Sequence, residues 1–172
     1  LLIKFFYLNH NQMRRIRQQK RILCVGEAVI DRIYEMGENI YSDKYIDYLG
    51  GAPANIAISL NRLGKSSSFV GRIGNDEGLK KFSKVFSSNN VDTSFIQIDD
   101  LNRTRIVKIE RTFDGERSFK GFVNFDSNIN KFADIELNKN EIINDWKDIN
   151  FEISGIVLGS IPLSNKTSRD AC

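Results

Sequence analysis

Histidine and cysteine are scarce in this chain, with one His and two Cys among 172 residues. Two cysteines cannot build the disulfide framework of a small secreted domain. Cys24 lies in an apolar, strand-like run where a small buried thiol packs well, so a reducing, cytoplasmic setting is expected. So few His and Cys, none of them clustered, give no reason to expect a metal site. Apolar runs approaching the roughly 18 residues of a membrane span are also missing, and with them any expectation of a membrane partner. Charge of one sign is not in excess: 25 Lys and Arg face 22 Asp and Glu, a formal net charge of +3. That balance argues against a nucleic-acid partner, and the densest basic run, Arg14 to Arg21, reads as a solvated tail ahead of the first strand.

What is present is the composition of an ordinary globular domain, 41% hydrophobic and 27% charged, enough for one core. The opening Leu1 to Leu8 is apolar, but Asn9-His10-Asn11-Gln12 follows where a secretory peptide would carry small residues for cleavage. The first methionine is Met13. Residues 1–20 are therefore expected to be a leader, disordered or not native, with the folded part beginning at residue 21.

Arg21-Ile22-Leu23-Cys24-Val25-Gly26 has the pattern of a buried strand stopped by glycine, and it leads through Glu27 to Asp31, placed just past the strand's carboxyl end. In open α/β sheets that edge collects ligands. Tyr45 to Leu49 alternates like a strand and delivers the chain to Gly50-Gly51-Ala52-Pro53-Ala54-Asn55-Ile56-Ala57. A Gly-Gly pair allows backbone conformations closed to other residues, and Pro53 suits a first helical turn, so the helix should start here and end at Gly64. The exposed amides of that turn form a polar cradle for a small molecule, with Asn55 as its side-chain arm.

Ser67 to Val70 closes a strand–helix–strand unit, and Gly71 to Gly78 reads as a turn-rich connection in which Asp76 caps a helix from Glu77 to about Ser87. Val91 to Ile96 is a further strand candidate. Beyond Asp99 the character changes. Two alternating arms, Arg103 to Arg111 and Glu116 to Phe122, flank Asp114-Gly115, a strong hairpin signal. Arg105 and Lys108 on the first arm read as a solvated face rather than as substrate contacts, and Trp146 and the phenylalanines as core. Asn138 to Trp146 makes a short helix, Gly155 to Gly159 a buried strand, and Ser164 a cap for a last helix.

These blocks, in this order, resemble the amino-terminal half of a sugar kinase of the ribokinase (PfkB) family, most closely its fructokinase-like branch. The resemblance rests on Gly50 to Ala57, Leu63-Gly64, Gly71-Arg72-Ile73-Gly74-Asn75-Asp76-Glu77-Gly78, Gly26-Glu27 with Ile30-Asp31, Asp114 to Phe119 and Leu158 to Leu163. It implies a doubly wound, Rossmann-like α/β sheet of ribokinase type, here incomplete, with a small β-sheet lid formed mainly by about 32–49 and 103–123. It also implies transfer of the γ-phosphoryl group of ATP to a sugar hydroxyl. By the same resemblance Asp31, Gly50, Gly51 and Asn55 are the substrate-binding residues. A carboxylate at a strand end suits that role, since charge-assisted hydrogen bonds from hydroxyls are strong contacts for a neutral ligand.

The family's Gly-Ala-Gly-Asp-type anion hole with its catalytic aspartate is not found in the 172 residues, and by the same resemblance the Asn-x-x-Glu motif that handles magnesium and phosphate is read as missing. No catalytic or metal-binding residue is therefore assigned. The expectation is a truncated kinase, residues 21–172 forming the first part of the domain. It would hold a sugar and be inactive alone, with ATP and Mg2+ serving the complete enzyme and neither binding well here. A homodimer through the lid is the alternative reading.

Overall fold

The computed structural model describes residues 20–34, 44–123, 131–147 and 149–172. The leader with His10, most of the basic run, Tyr41 to Asp43, and the residues following Val123 up to 130 lie outside the described residues.

Two four-stranded sheets organise the described residues. The first is parallel and contains β1 (Lys20–Val25), β4 (Ser66–Gly74), β5 (Asp92–Asp99) and β8 (Glu152–Leu158), in the order β5-β4-β1-β8. The second contains β2 (Val29–Tyr34), β3 (Tyr45–Gly50), β6 (Ile106–Arg111) and β7 (Arg117–Phe122), in the order β3-β2-β6-β7. In it β2 runs antiparallel to β3 and parallel to β6, and β6 and β7 form the hairpin turned by Asp114-Gly115, with Gly115 at φ 79°. Asp31 is the third residue of β2, whereas Arg103 to Arg105 precede the first hairpin strand.

The parallel sheet is covered on both faces except along β8, where Ile156 and Leu158 are 60% and 46% exposed, so the strand expected to be buried is not. Successive side chains alternate between faces, so Cys24 packs with Ala54, Ala57, Phe69, Phe82 and Phe86, while Leu23 and Val25 pack with Val70, Phe95, Leu137 and Ile142 on the other side. The first layer is built by α1 (Ala52–Arg62) and α2 (Glu77–Ser88). In α1 the buried residues are Pro53, Ala54, Ala57 and Ile58, and two alanines at full burial let the helix axis approach the strands closely. The opposite layer is built by α3 (Lys139–Trp146) and the short α4 (Lys166–Ala171).

Several sequence expectations change here. Gly71 to Gly74 are not a turn but the end of β4. Gly71 and Gly74 are glycines because neighbours approach closely: a Cβ on Gly71 would run into the Gly26 carbonyl oxygen, and one on Gly74 would lie 2.5 Å from the Thr104 nitrogen. The last helix is capped by Asn165, whose side chain accepts from the Thr167 amide, and not by Ser164. Trp146 is 43% exposed, as are Phe113 and Phe119 to a greater degree, so these aromatics are not core. Arg105 is neither solvated nor free to meet a substrate. It is buried, makes two hydrogen bonds of 2.7 and 2.8 Å to Asp134, and lies against the rings of Phe122 and Phe132.

Candidate functional site

Asp31 sits inside β2 rather than beyond the end of β1. Its register partners are Tyr48 on β3 and Val107 on β6, and Val29 pairs with Gly50, so Asp31 and Gly50 face the same side of the second sheet. A Cβ on Gly50 would lie 2.6 Å from Asp31 Oδ2, and any side chain there would displace the carboxylate. Gly51 follows at φ 94°, and a Cβ on it would lie 2.4 Å from the Glu27 carbonyl oxygen. The pair of glycines is thus required twice, once by a carboxylate and once by a strand connection. Asn55 is exposed one turn into α1, its backbone amide bonded to the Gly51 carbonyl at 3.0 Å.

The structure therefore brings Asp31, Gly50 and Gly51 together at the start of α1, with Asn55 on the first turn beyond them. Among the described residues the Asp31 carboxylate has no hydrogen-bond or ion-pair partner. Burial raises its pKa above the ordinary aspartate value, and the positive charge of Arg117 on β7 opposes that rise. Arg117 pairs in register with Arg111, which alternation places on the same sheet face as Asp31. The apolar Ile46, Tyr48 and Phe119 on that face are 44%, 49% and 61% exposed.

Sequence reasoning left one residue out of this site. Glu27 is 4% exposed, between the ends of β1 and β2, with Oε1 accepting from the Ala52 amide at 3.4 Å. The available signal was a lone charge inside the apolar run Cys24-Val25-Gly26-Glu27-Ala28-Val29-Ile30.

Arg32 and Ile30, on the reverse face of β2, line a cavity of about 720 Å³ that includes Asp47, Asp76, Lys81 and Asp99. None of the four expected site residues lines it. Its acids are already engaged. Asp47 takes two hydrogen bonds from Arg32, and Asp76 caps α2 through Gly78 and also accepts from Thr104. Burial would raise the pKa of Asp99, but hydrogen bonds from Asn102, Arg72 and Leu101 hold it down at about 2. No cluster of three or more His, Cys, Asp or Glu able to hold a metal occurs among the described residues. No helix among them is long and apolar enough to cross a membrane.

Against this geometry, residues 19–167 match the pfkB family carbohydrate kinase profile. The chain belongs to the pfkB carbohydrate kinase family. Over 103 residues it is 36% identical to the probable fructokinase-7 of Arabidopsis thaliana, covering 59% of this chain and 30% of that enzyme. Two solved structures share the fold. One is a sugar kinase from Pyrococcus horikoshii in complex with ATP, with TM-score 0.70, 27% identity, and coverage of 88% of this chain and 46% of that one. The other is the Vibrio cholerae fructokinase in its fructose, ADP and calcium ion bound form, with TM-score 0.65, 27% identity, and coverage of 89% and 44%. The matched part thus spans less than half the length of each relative. The ribokinase-type α/β fold expected from the sequence motifs is thus borne out.

Proposed function

We propose that this chain binds a neutral sugar at the junction of β2, β3 and α1, as the sugar-holding part of an ATP-dependent, fructokinase-like carbohydrate kinase. One observation carries the reading: Asp31 is a partly buried carboxylate with no partner among the described residues, held against a glycine that leaves room for it. A desolvated acceptor of this kind gains most from hydroxyl donors. Asp31 accepts hydrogen bonds from the sugar, the Gly50 and Gly51 backbone contacts it closely, and the exposed Asn55 amide reads a further hydroxyl. The ligand is neutral because Asp31 would repel a phosphate from the same place. The second sheet, with its exposed Ile46, Tyr48 and Phe119, is the surface that closes over the sugar.

Phosphoryl transfer is almost wholly a matter of positioning and charge stabilisation. The resemblance assigns those tasks to a Gly-Ala-Gly-Asp-type segment and an Asn-x-x-Glu motif; the 172 residues hold no Gly-Ala-Gly-Asp segment, and in their one Asn-x-x-Glu, Asn138-Lys139-Asn140-Glu141, the asparagine caps α3 and the glutamate pairs with Arg72. The chain by itself therefore binds sugar without transferring phosphate. ATP and Mg2+ belong to the activity of a complete kinase, and this chain alone holds neither well. Calorimetric titration of the purified chain with fructose and a panel of hexoses and pentoses tests the proposal. One sugar bound per chain supports it; no heat with any sugar in the panel overturns it.

A second reading follows from the same exposed apolar side chains, since one-sided sheets invite partners. In it the second sheet joins two copies of the chain. Light scattering of wild type and of Phe119→Ser separates the two: a dimer that falls apart on substitution and ignores sugar favours the second reading.

A further inference from the structure

Glu27 is the other acid at the start of α1, and the sugar-holding role does not use it. Its side chain is 4% exposed, Oε2 is buried with no hydrogen-bond partner, and Oε1 faces the Ala52 amide at 3.4 Å. Three features enclose it. A Cβ on Gly159 would stand 2.3 Å from Oε2 and 2.7 Å from Pro53 Cγ, one on Gly26 would stand 2.6 Å from the same Pro53 carbon, and one on Gly51 would meet the Glu27 carbonyl oxygen. Helix α1 meanwhile has Gly51 at its N-cap, which offers no side-chain acceptor, and Pro53, which has no N–H. The first helical amide, that of Ala52, is thus capped from outside the helix by Glu27.

We propose that Glu27 is a positioning residue: its carboxyl group fixes the start of α1 against the tips of β1 and β8 and thereby sets Gly50 and Gly51 beside Asp31. Negative charge at a helix start is favourable, and the amide it meets is one of the few with no partner inside the helix. Burying an unpaired carboxylate is costly, however, and a residue needed only for packing would be apolar. Burial raises the pKa of Glu27, against its own amide and that of Ala52. The charged groups that act on it are Asp134, which adds to the rise, and Arg105, which opposes it, and these two compensate each other as an ion pair. A raised folded pKa means that the ionised form opposes folding: the group's favourable contribution is complete below the unfolded value and is lost as pH rises through the folded one.

The affinity arm of this inference rests on the sugar-binding reading; the amide arm does not. In the full chain, the Ala52 amide resonance should titrate with a midpoint above the ordinary glutamate range, and that titration should vanish in Glu27→Gln. Sugar affinity should fall about tenfold in Glu27→Ala and in Gly159→Ala, whose new Cβ displaces Oε2, with the variants still folded by circular dichroism. Glu27→Gln, which keeps an oxygen for the Ala52 amide, should restore affinity to within about threefold of wild type. An Ala52 amide blind to Glu27 overturns the inference whether or not sugar binds. So does a folded Glu27→Ala that binds sugar as wild type does. If no sugar binds to wild type while the amide titrates as described, it is the sugar-binding reading that fails, and the capping role stands.

Discussion

Acids in two parts of this molecule are treated in opposite ways. Behind the second sheet and beneath it, Asp134, Asp99 and Asp47 each meet an arginine: Arg105 at 2.7 Å, Arg72 at 2.7 Å and Arg32 at 2.8 Å. At the start of α1, Asp31 has no such partner among the described residues, and Glu27 keeps one buried oxygen unsatisfied. The first group obeys the rule that buried charges are paired. The second breaks it where the β1–β2 connection, β2 and the start of α1 meet, with two glycines making room. Glu27 is enclosed there and meets a helix amide, whereas Asp31 is only partly buried, which makes it the candidate for a ligand.

The sharpest contrast comes from breaking a paired acid. Asp134→Ala strands the buried Arg105 guanidinium between Phe122 and Phe132 and should cost about 3–5 kcal/mol, read as a large fall in the thermal midpoint. Gly50→Ala should leave the fold in place but lower sugar affinity on the order of tenfold, because its Cβ would lie 2.6 Å from Asp31 Oδ2; calorimetry reads this directly.

The pH dependence separates the two groups by sign. Asp99 is held at about 2, below its ordinary value of 3.8, so its contribution is present above 3.8 and is lost as pH falls toward 2. Asp99→Asn should remove about 2 kcal/mol of stability at neutral pH along with that acid limb, followed by chemical denaturation across pH. Asp31 has a raised pKa, so its contribution is complete at low pH and is lost as pH rises through the folded value. Asp31→Asn should therefore leave stability at neutral pH within about 1 kcal/mol of wild type. Sugar affinity should weaken as pH falls through the Asp31 pKa, since the protonated acid is a poorer acceptor.

Most of the framework could be read from the sequence because its signals are local. Asp76 caps its helix as expected, accepting from the Gly78 amide at 2.8 Å, the helix expected from Asn138 to Trp146 forms with Asn138 as its cap, and Asp114-Gly115 turns the hairpin. The errors fall where a distant segment decides. Gly71 and Gly74 look like turn residues, but they are strand residues pressed by Gly26 and Thr104. Arg105 looks like a solvated strand residue until Asp134, 29 positions on, reaches it. At the site, the motif pointed to Asp31, Gly50, Gly51 and Asn55, and the register of β2 against β3 explains why Asp31 and Gly50 meet. Glu27 counts in the sequence only as part of the Gly26-Glu27 motif and not as a site residue, because its role depends on Gly159, which is far along the chain, and on the missing side chain at the cap of α1.

The central claim is that Asp31, without a partner among the described residues, holds a sugar. Isothermal titration of the wild-type chain and of Asp31→Asn at neutral pH, with fructose and the sugar panel, tests it most directly. The expected result is one sugar per wild-type chain and an affinity at least about tenfold weaker in Asp31→Asn, the loss of a charged hydrogen-bond acceptor, with unchanged thermal midpoints. Equal affinity in the two proteins would contradict it.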